Sequence, residues 1–184
     1  MKDIKEYMRV TEVLSPLSGL SGVNPDVLKN AQKRGTDVHE VIDAKMQYIG
    51  GGNIQDEWKG YISSFDKWFE GKDLLKISRW FCDEYKITGE CDALYMGKKG
   101  LTLVDFKTPT NESKTWRLQG SAYSYLGKQA GYEIKNIEFV KLSKDGTEPK
   151  IYQYEEDFDM FLKCLCVYNY FFKYCKHEDV LDFL

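Results

Sequence analysis

The sequence predicts an α/β fold, a mixed central β-sheet flanked by helices. Three observations predict it. Residues 25–48 place apolar side chains at helical spacing. Residues 74–107 change to short strand-like runs broken by glycine. Residues 114–175 then read as a helix, two strands and a last helix.

The elements follow in chain order. Arg9 to Leu14 reads as a short strand or a helical turn, and the Ser/Gly/Pro cluster after it as a loop. Asn24-Pro25-Asp26 is a helix start: an Asn cap, proline at the first helical position and an acid in the first turn. Val27, Leu28, Ala31, Val38, Val41, Ile42 and Met46 form the apolar stripe of that helix. Gly35 interrupts it at about 1 kcal/mol relative to alanine, so a close approach of backbone or ligand is expected there. Gly50-Gly51-Gly52-Asn53 is a break. Residues 56–70 are a second helix with Trp58, Ile62, Phe65 and Phe69 as its core stripe.

Strands are expected over 80–85, 88–95 and 101–107, the last two joined by a tight hairpin at Gly97-Lys98-Lys99-Gly100. Pro109 closes the third, and a polar loop leads to a helix over 114–130. Residues 136–142 and 150–154 form an antiparallel pair about a turn at Lys144-Asp145-Gly146-Thr147. Residues 156–175 form a C-terminal helix, rich in Phe, Tyr and Cys, that packs across the sheet.

A length of 184 residues fits one domain, 1–184, with a substantial core. At 42% hydrophobic and 30% charged residues the chain reads as globular and soluble. Thirteen Tyr, ten Phe and four Trp supply core volume, and a few could stack on nucleobases. A formal charge of −3 argues against a passive nucleic-acid coat, which would carry a basic balance. Cys82, Cys91, Cys164, Cys166 and Cys175 contain no CxxC pair, so a clustered zinc or iron–sulfur site is not expected. Cys164, Cys166 and Cys175 read as small core residues of the last helix. With no leader and no membrane-length apolar run, an intracellular, cytoplasmic and reducing setting is expected, without a membrane partner.

The chemistry concentrates between Gly89 and Tyr123. Strand alternation puts Leu101, Leu103, Asp105 and Lys107 on one face. A charged pair ending an apolar strand is either a strand-end ion pair or part of a site. The hairpin centred between Lys98 and Lys99 sets Asp92 opposite Asp105. Two facing aspartates repel. A divalent cation between them removes the conflict, and carboxylate oxygens suit magnesium or manganese. His39 shares a helix face with Gly35 and reads either as a half-buried core histidine or as a site residue.

Gly89-x-x-Asp92, a hairpin and an apolar strand ending Asp105-Phe106-Lys107 resemble the PD-(D/E)xK nuclease superfamily, although no proline precedes Asp92. Gln119-Gly120-Ser121-Ala122-Tyr123 and Arg34-Gly35-Thr36-Asp37-Val38-His39 extend the likeness to its RecB-type exonuclease branch, including small phage and mitochondrial exonucleases. The resemblance covers residues 34–123 and implies a restriction-endonuclease-like core. It implies a DNA exonuclease that hydrolyses phosphodiester bonds to leave 5′-phosphates, in DNA recombination, repair or replication. Magnesium or manganese, as a pair of ions, would be held by Asp92, Asp105 and the Phe106 carbonyl, with His39 at a second metal position. Lys107 would activate water, and Gln119 and Tyr123 would hold the phosphate or order the site. The cysteines of iron–sulfur members have no counterpart. A homo-oligomer, ring-like in some phage-type members, or a recombination partner protein is a further implication.

Residue chemistry adds Arg34 and Arg117 for phosphates and Trp116 for base stacking. Glu84 and Glu90 are extra acids on the neighbouring strands, outside the metal set. Alternatives are a structure-selective endonuclease and a catalytically silent nuclease-like domain that binds DNA or protein. A two-carboxylate glycosidase leaves Lys107 and His39 without a role.

Overall fold

The computed structural model describes residues 3–19, 22–47 and 54–174. The glycine break at 50–53 and Cys175 lie outside the described residues. After β1 (Met8–Arg9) and α1 (Val10–Leu14) comes α2 (Pro25–Met46), whose Asn24 side chain accepts from Asp26 N at 2.8 Å. Then follow α3 (Lys59–Phe69), β2 (Leu74–Lys76), β3 (Trp80–Cys82), β4 (Ile87–Gly89), β5 (Ala93–Gly97) and β6 (Gly100–Lys107). The chain continues through α4 (Thr115–Gln129), β7 (Asn136–Lys141), β8 (Lys150–Tyr154) and α5 (Phe158–Tyr168).

The expected α/β architecture is present. The central sheet has the order β2-β5-β6-β7-β8, mixed because β6 and β7 run parallel while the other pairs are antiparallel. β6 lies in its middle. Leu94, Leu103, Ile137 and Phe139 bury one face of the sheet in a cluster shared with α1, α4 and α5. Ala93, Val104, Phe106 and Val140 bury the other face under α2 and α3. Alternation along a central strand gives both faces an apolar surface, and helices cover each.

Three expectations change. The strand drawn over 88–95 is two strands in two sheets. β4 joins a smaller sheet, β1-β4-β3, in which Met8 pairs in parallel with Ile87. The chain leaves β4 at Glu90 and meets β6 at Asp92, whose N donates to Val104 O at 3.1 Å and whose carboxylate, rather than a carbonyl, accepts from Phe106 N at 2.5 Å. The stripe of α2 is buried only from Val38 onward, through Val41, Ile42 and Met46, and Val27 is exposed because the first half of the helix runs past the core. The C-terminal helix is α5, followed by a wider π-helical turn over Asn169–Tyr174, and it packs on α4 and α1. One face of α5, Phe161 and Leu165, is buried, and half-buried Cys164 packs against the same cluster, while Cys166 is exposed and so is not a core residue.

The turn after β7 docks on α3. Ser143 N donates to Ser64 Oγ at 2.9 Å, and a Cβ at Gly60 would fall 1.7 Å from the Lys144 carbonyl oxygen. Only glycine admits that approach.

Candidate active site

The expected hairpin register holds. Ala93 pairs with Val104 and Gly97 with Gly100, so Asp92, one residue before β5, stands beside the end of β6 that carries Asp105. Asp105 and Lys107 emerge on the α4 face. Lys107 Nζ lies 2.6 Å from Asp105 Oδ2 and donates to Gln119 Oε1 at 3.2 Å. Gln119 Nε2 reaches Asp105 Oδ1 at 3.3 Å and the Tyr123 hydroxyl at 3.1 Å. Gln119 and Tyr123 are one helical turn apart, so α4 presents both to the strand end. From α2, His39 Nδ1 meets Asp92 Oδ1 at 3.0 Å. His39 therefore lines the cleft beside Asp92 rather than joining either core cluster.

Gly89 makes room for this arrangement. A Cβ there would lie 2.5 Å from Tyr123 Cε1, so the Tyr123 ring rests against bare backbone. Gly35 does no comparable work within the protein, since the nearest atom to a Cβ there would be Thr108 Oγ1 at 4.0 Å.

A cleft of about 280 Å³ collects His39, Asp92, Asp105, Lys107, Gln119 and Tyr123. The same cleft holds Arg9, Thr11, Arg79 and Thr88, none of which the sequence marked, and Glu90, one of the two extra acids. Arg79 and Glu90 pair with each other. Parallel pairing of β1 with β4 brings in Arg9 and Thr11, and no local spacing announces that long-range contact. Glu84 is exposed in the turn after β3, outside the cleft.

The charged groups of the cleft lie in direct contact and shift one another. Burial raises the Asp105 carboxyl to about 6, with Lys107 pulling it down and Asp92 adding to the rise. Burial also opposes ionisation of Asp92, but the charge and hydrogen bond of His39 prevail and hold its pKa below the usual carboxylate value. Burial lowers His39, yet Asp92 outweighs it and lifts the imidazole to about 9. His39 thus faces Asp92 and Lys107 faces Asp105, one basic side chain beside each carboxyl group. Burial pushes the Tyr123 hydroxyl well above its ordinary range, which keeps it a neutral hydrogen-bonding group.

The donor set bears on a metal. Among the described residues no three His, Cys, Asp or Glu side chains converge as a metal-holding group. Magnesium does not need one, because one or two carboxylates with water and substrate oxygens suffice. Asp105 Oδ2 is buried and makes no hydrogen bond of good geometry, its ion-pair contact with Lys107 notwithstanding. A buried anionic oxygen without a proper donor suits a hard cation. Phe106 N faces Asp92, and by strand alternation its carbonyl shares that edge. These residues fit magnesium or manganese at Asp92 and Asp105, with His39 alongside.

The three residues put forward for DNA divide. Trp116 is 4% exposed, stacks on Phe139 with centroids 5.8 Å apart and meets Tyr152 edge-on at 5.6 Å. It is a core residue and cannot stack on a base, because its position on α4 faces the sheet. Arg117 lies on the other side of α4, its Nη2 3.4 Å from Asp157 Oδ2 and its Nε donating to Glu155 O at 3.3 Å. It does not join the cleft. Arg34 is half-buried near the end of β6, with its Nε 3.5 Å from Thr108 Oγ1 and its guanidinium over the Tyr61 ring at 5.7 Å.

The fold is similar to the solved structure of SSO0001, with a TM-score of 0.52 and 13% identity over 95% of this chain and 84% of that one. At that identity the likeness concerns the fold alone. No family model and no curated protein sequence matches the chain. Among the described residues no helix is long and apolar enough to cross a membrane.

Proposed function

We propose that the chain is a magnesium- or manganese-dependent deoxyribonuclease, an exonuclease that leaves 5′-phosphates. One observation carries this reading. Asp105, with a buried oxygen that lacks a proper hydrogen-bond donor, lies beside Lys107 in a cleft where Asp92, His39, Gln119 and Tyr123 converge. The residues of the suggested motif, spread over α2, the link before β5, β6 and α4, line one cleft.

Asp92, Asp105 and the Phe106 carbonyl would hold the ions, with His39 bordering a second position. Bound there, the metal supplies Lewis acidity to the scissile phosphate and lowers the pKa of a bound water. Lys107 Nζ, within 2.6 Å of the Asp105 carboxylate, is set to orient the attacking water and to offset negative charge growing on the phosphate oxygens. Gln119 links Lys107, Asp105 and Tyr123, which fixes the lysine's direction. Arg34, near the end of β6, is a phosphate contact for the strand.

The test is a time course on 5′- and 3′-labelled single-stranded, duplex and circular DNA, with manganese and with chelator. The expected result is manganese-dependent digestion from an end, lost in Asp105→Ala. Cleavage of circular DNA would identify an endonuclease instead. Tight DNA or protein binding without cleavage under any condition would identify a silent domain.

A further inference from the structure

The registers of the central sheet place three lysines side by side. Lys107 on β6 pairs with Lys141 on β7, and Lys141 pairs with Lys150 on β8. Paired residues point to one face, so the three side chains form a single transverse row. With strands about 4.8 Å apart the row spans about 10 Å. Like charges placed directly opposite destabilise a sheet. An arrangement of this kind is favourable when an anion lies along it.

The row has a defined floor. The next row down is Asp105, Phe139 and Tyr152, with Trp116 packed beneath. Lys107 Nζ lies over the Phe139 ring at 5.2 Å and Lys150 Nζ over the Tyr152 ring at 4.5 Å. Lys107 answers to Asp105 within the cleft. Lys141 is held by a neutral group, donating to Thr110 O at 2.6 Å. The acid whose charge bears on Lys150 is Glu112, itself taken by the Tyr154 hydroxyl at 2.6 Å. Lys141 and Lys150 line a second depression of about 410 Å³ with Thr108, Thr110 and Lys144, and the acids Asp145 and Glu148 line it too.

We propose that Lys141 and Lys150 bind the phosphate backbone of one nucleic-acid strand, carrying it from the Lys107 end of the row across β7 and β8. This rests on the nuclease reading for what happens at Lys107. A row one lysine wide matches a single strand and offers no second line of charge for a complementary one.

Binding of a fluorescent single-stranded oligonucleotide by the full chain, in chelator and over a range of salt, tests the proposal without any cleavage. The Lys141→Gln and Lys150→Gln variants, singly and combined, are compared with wild type and with Lys163→Gln, which removes one lysine charge on α5. The expected result is binding about tenfold weaker for the double variant at moderate salt. Its log–log salt slope should be shallower by about 1.4, that is about 0.7 for each phosphate contact. Lys163→Gln should keep the wild-type slope. An unchanged slope and affinity in the double variant, or no strand binding by wild type, overturns the proposal. The manganese assay separates the two readings. Cleavage without an effect of the double variant removes the row alone, and a row effect without cleavage removes the nuclease reading alone.

Discussion

The central sheet buries two carboxylates one register step apart and on opposite faces. Val104 pairs with Glu138, and the next residue, Asp105, pairs with Phe139. Glu138, on the α2/α3 face, accepts from the Tyr95 hydroxyl at 2.8 Å and from Gln153 Nε2 at 3.0 Å. Asp105, on the α4 face, keeps one oxygen without a well-formed hydrogen bond and shares its cleft with a second carboxylate. The depth of the two is similar, 7% and 3% exposed. Burial therefore does not mark the site. What marks it is the company: Asp105 meets an ammonium, Lys107, at 2.6 Å and shares its cleft with the Asp92 carboxylate and His39, whereas Glu138 has only neutral hydrogen-bond donors.

The largest expected effect separates the faces by chemistry. Asp105→Ala and Lys107→Ala each lower manganese-dependent hydrolysis by about 10³-fold or more with the fold intact by circular dichroism. Glu138→Gln, which keeps the shape of the side chain, retains the wild-type rate within about twofold. Equal losses at both carboxylates would break the comparison.

Trp116 tests the support beneath the charged face. Trp116→Ala should lose about 3–5 kcal/mol in urea unfolding. A stable variant that fails only in DNA binding would return Trp116 to the role the sequence suggested. Next comes ligand linkage. Manganese at about 100 times its dissociation constant should stabilise wild type by about 2.7 kcal/mol in thermal unfolding, and Asp105→Ala by far less.

Stability in chelator sharpens the contrast further. The Asp105 carboxyl, raised to about 6 when folded, ionises at lower pH in the unfolded chain. Stability is thus given up as pH climbs from about 4 to 6 and stays lower above that range. Asp105→Asn should gain roughly 1–3 kcal/mol at pH 7 and nothing below pH about 4. Glu138→Ala should lose roughly 1–3 kcal/mol by stranding Tyr95 and Gln153. The smallest effect belongs to Arg117→Ala, an exposed pair with Asp157, which should stay within about 1 kcal/mol by urea unfolding.

Much of this geometry was legible in local pattern. The hairpin at Lys98-Lys99 gave the Asp92–Asp105 juxtaposition because a two-residue turn fixes register. Alternation placed Asp105 with Lys107, and helical spacing placed Gln119 with Tyr123. What escaped depends on contacts distant in sequence. Nothing near residue 88 tells that Met8 pairs alongside Ile87, so the second sheet and the place of Arg9 and Thr11 in the cleft stayed hidden. Trp116 misled because an aromatic beside an arginine carries the same signature whether it faces solvent or sheet. The lysine row depends on β6 and β7 running parallel, which no turn between them reveals.

The hydrogen bond between His39 and Asp92 joins residues 53 apart in the chain. β6 reaches its parallel partner β7 only after α4 has been laid across the sheet. The residues of the cleft are therefore gathered by slow, non-local steps, and a newly made chain has local hairpins well before it has a complete acidic cluster. A local opening that lifts α2 from the sheet would take His39 away from Asp92 while leaving β5 and β6 paired and the Asp105–Lys107–Gln119–Tyr123 contacts in place. Amide exchange in the second half of α2 would then set the lifetime of the assembled site.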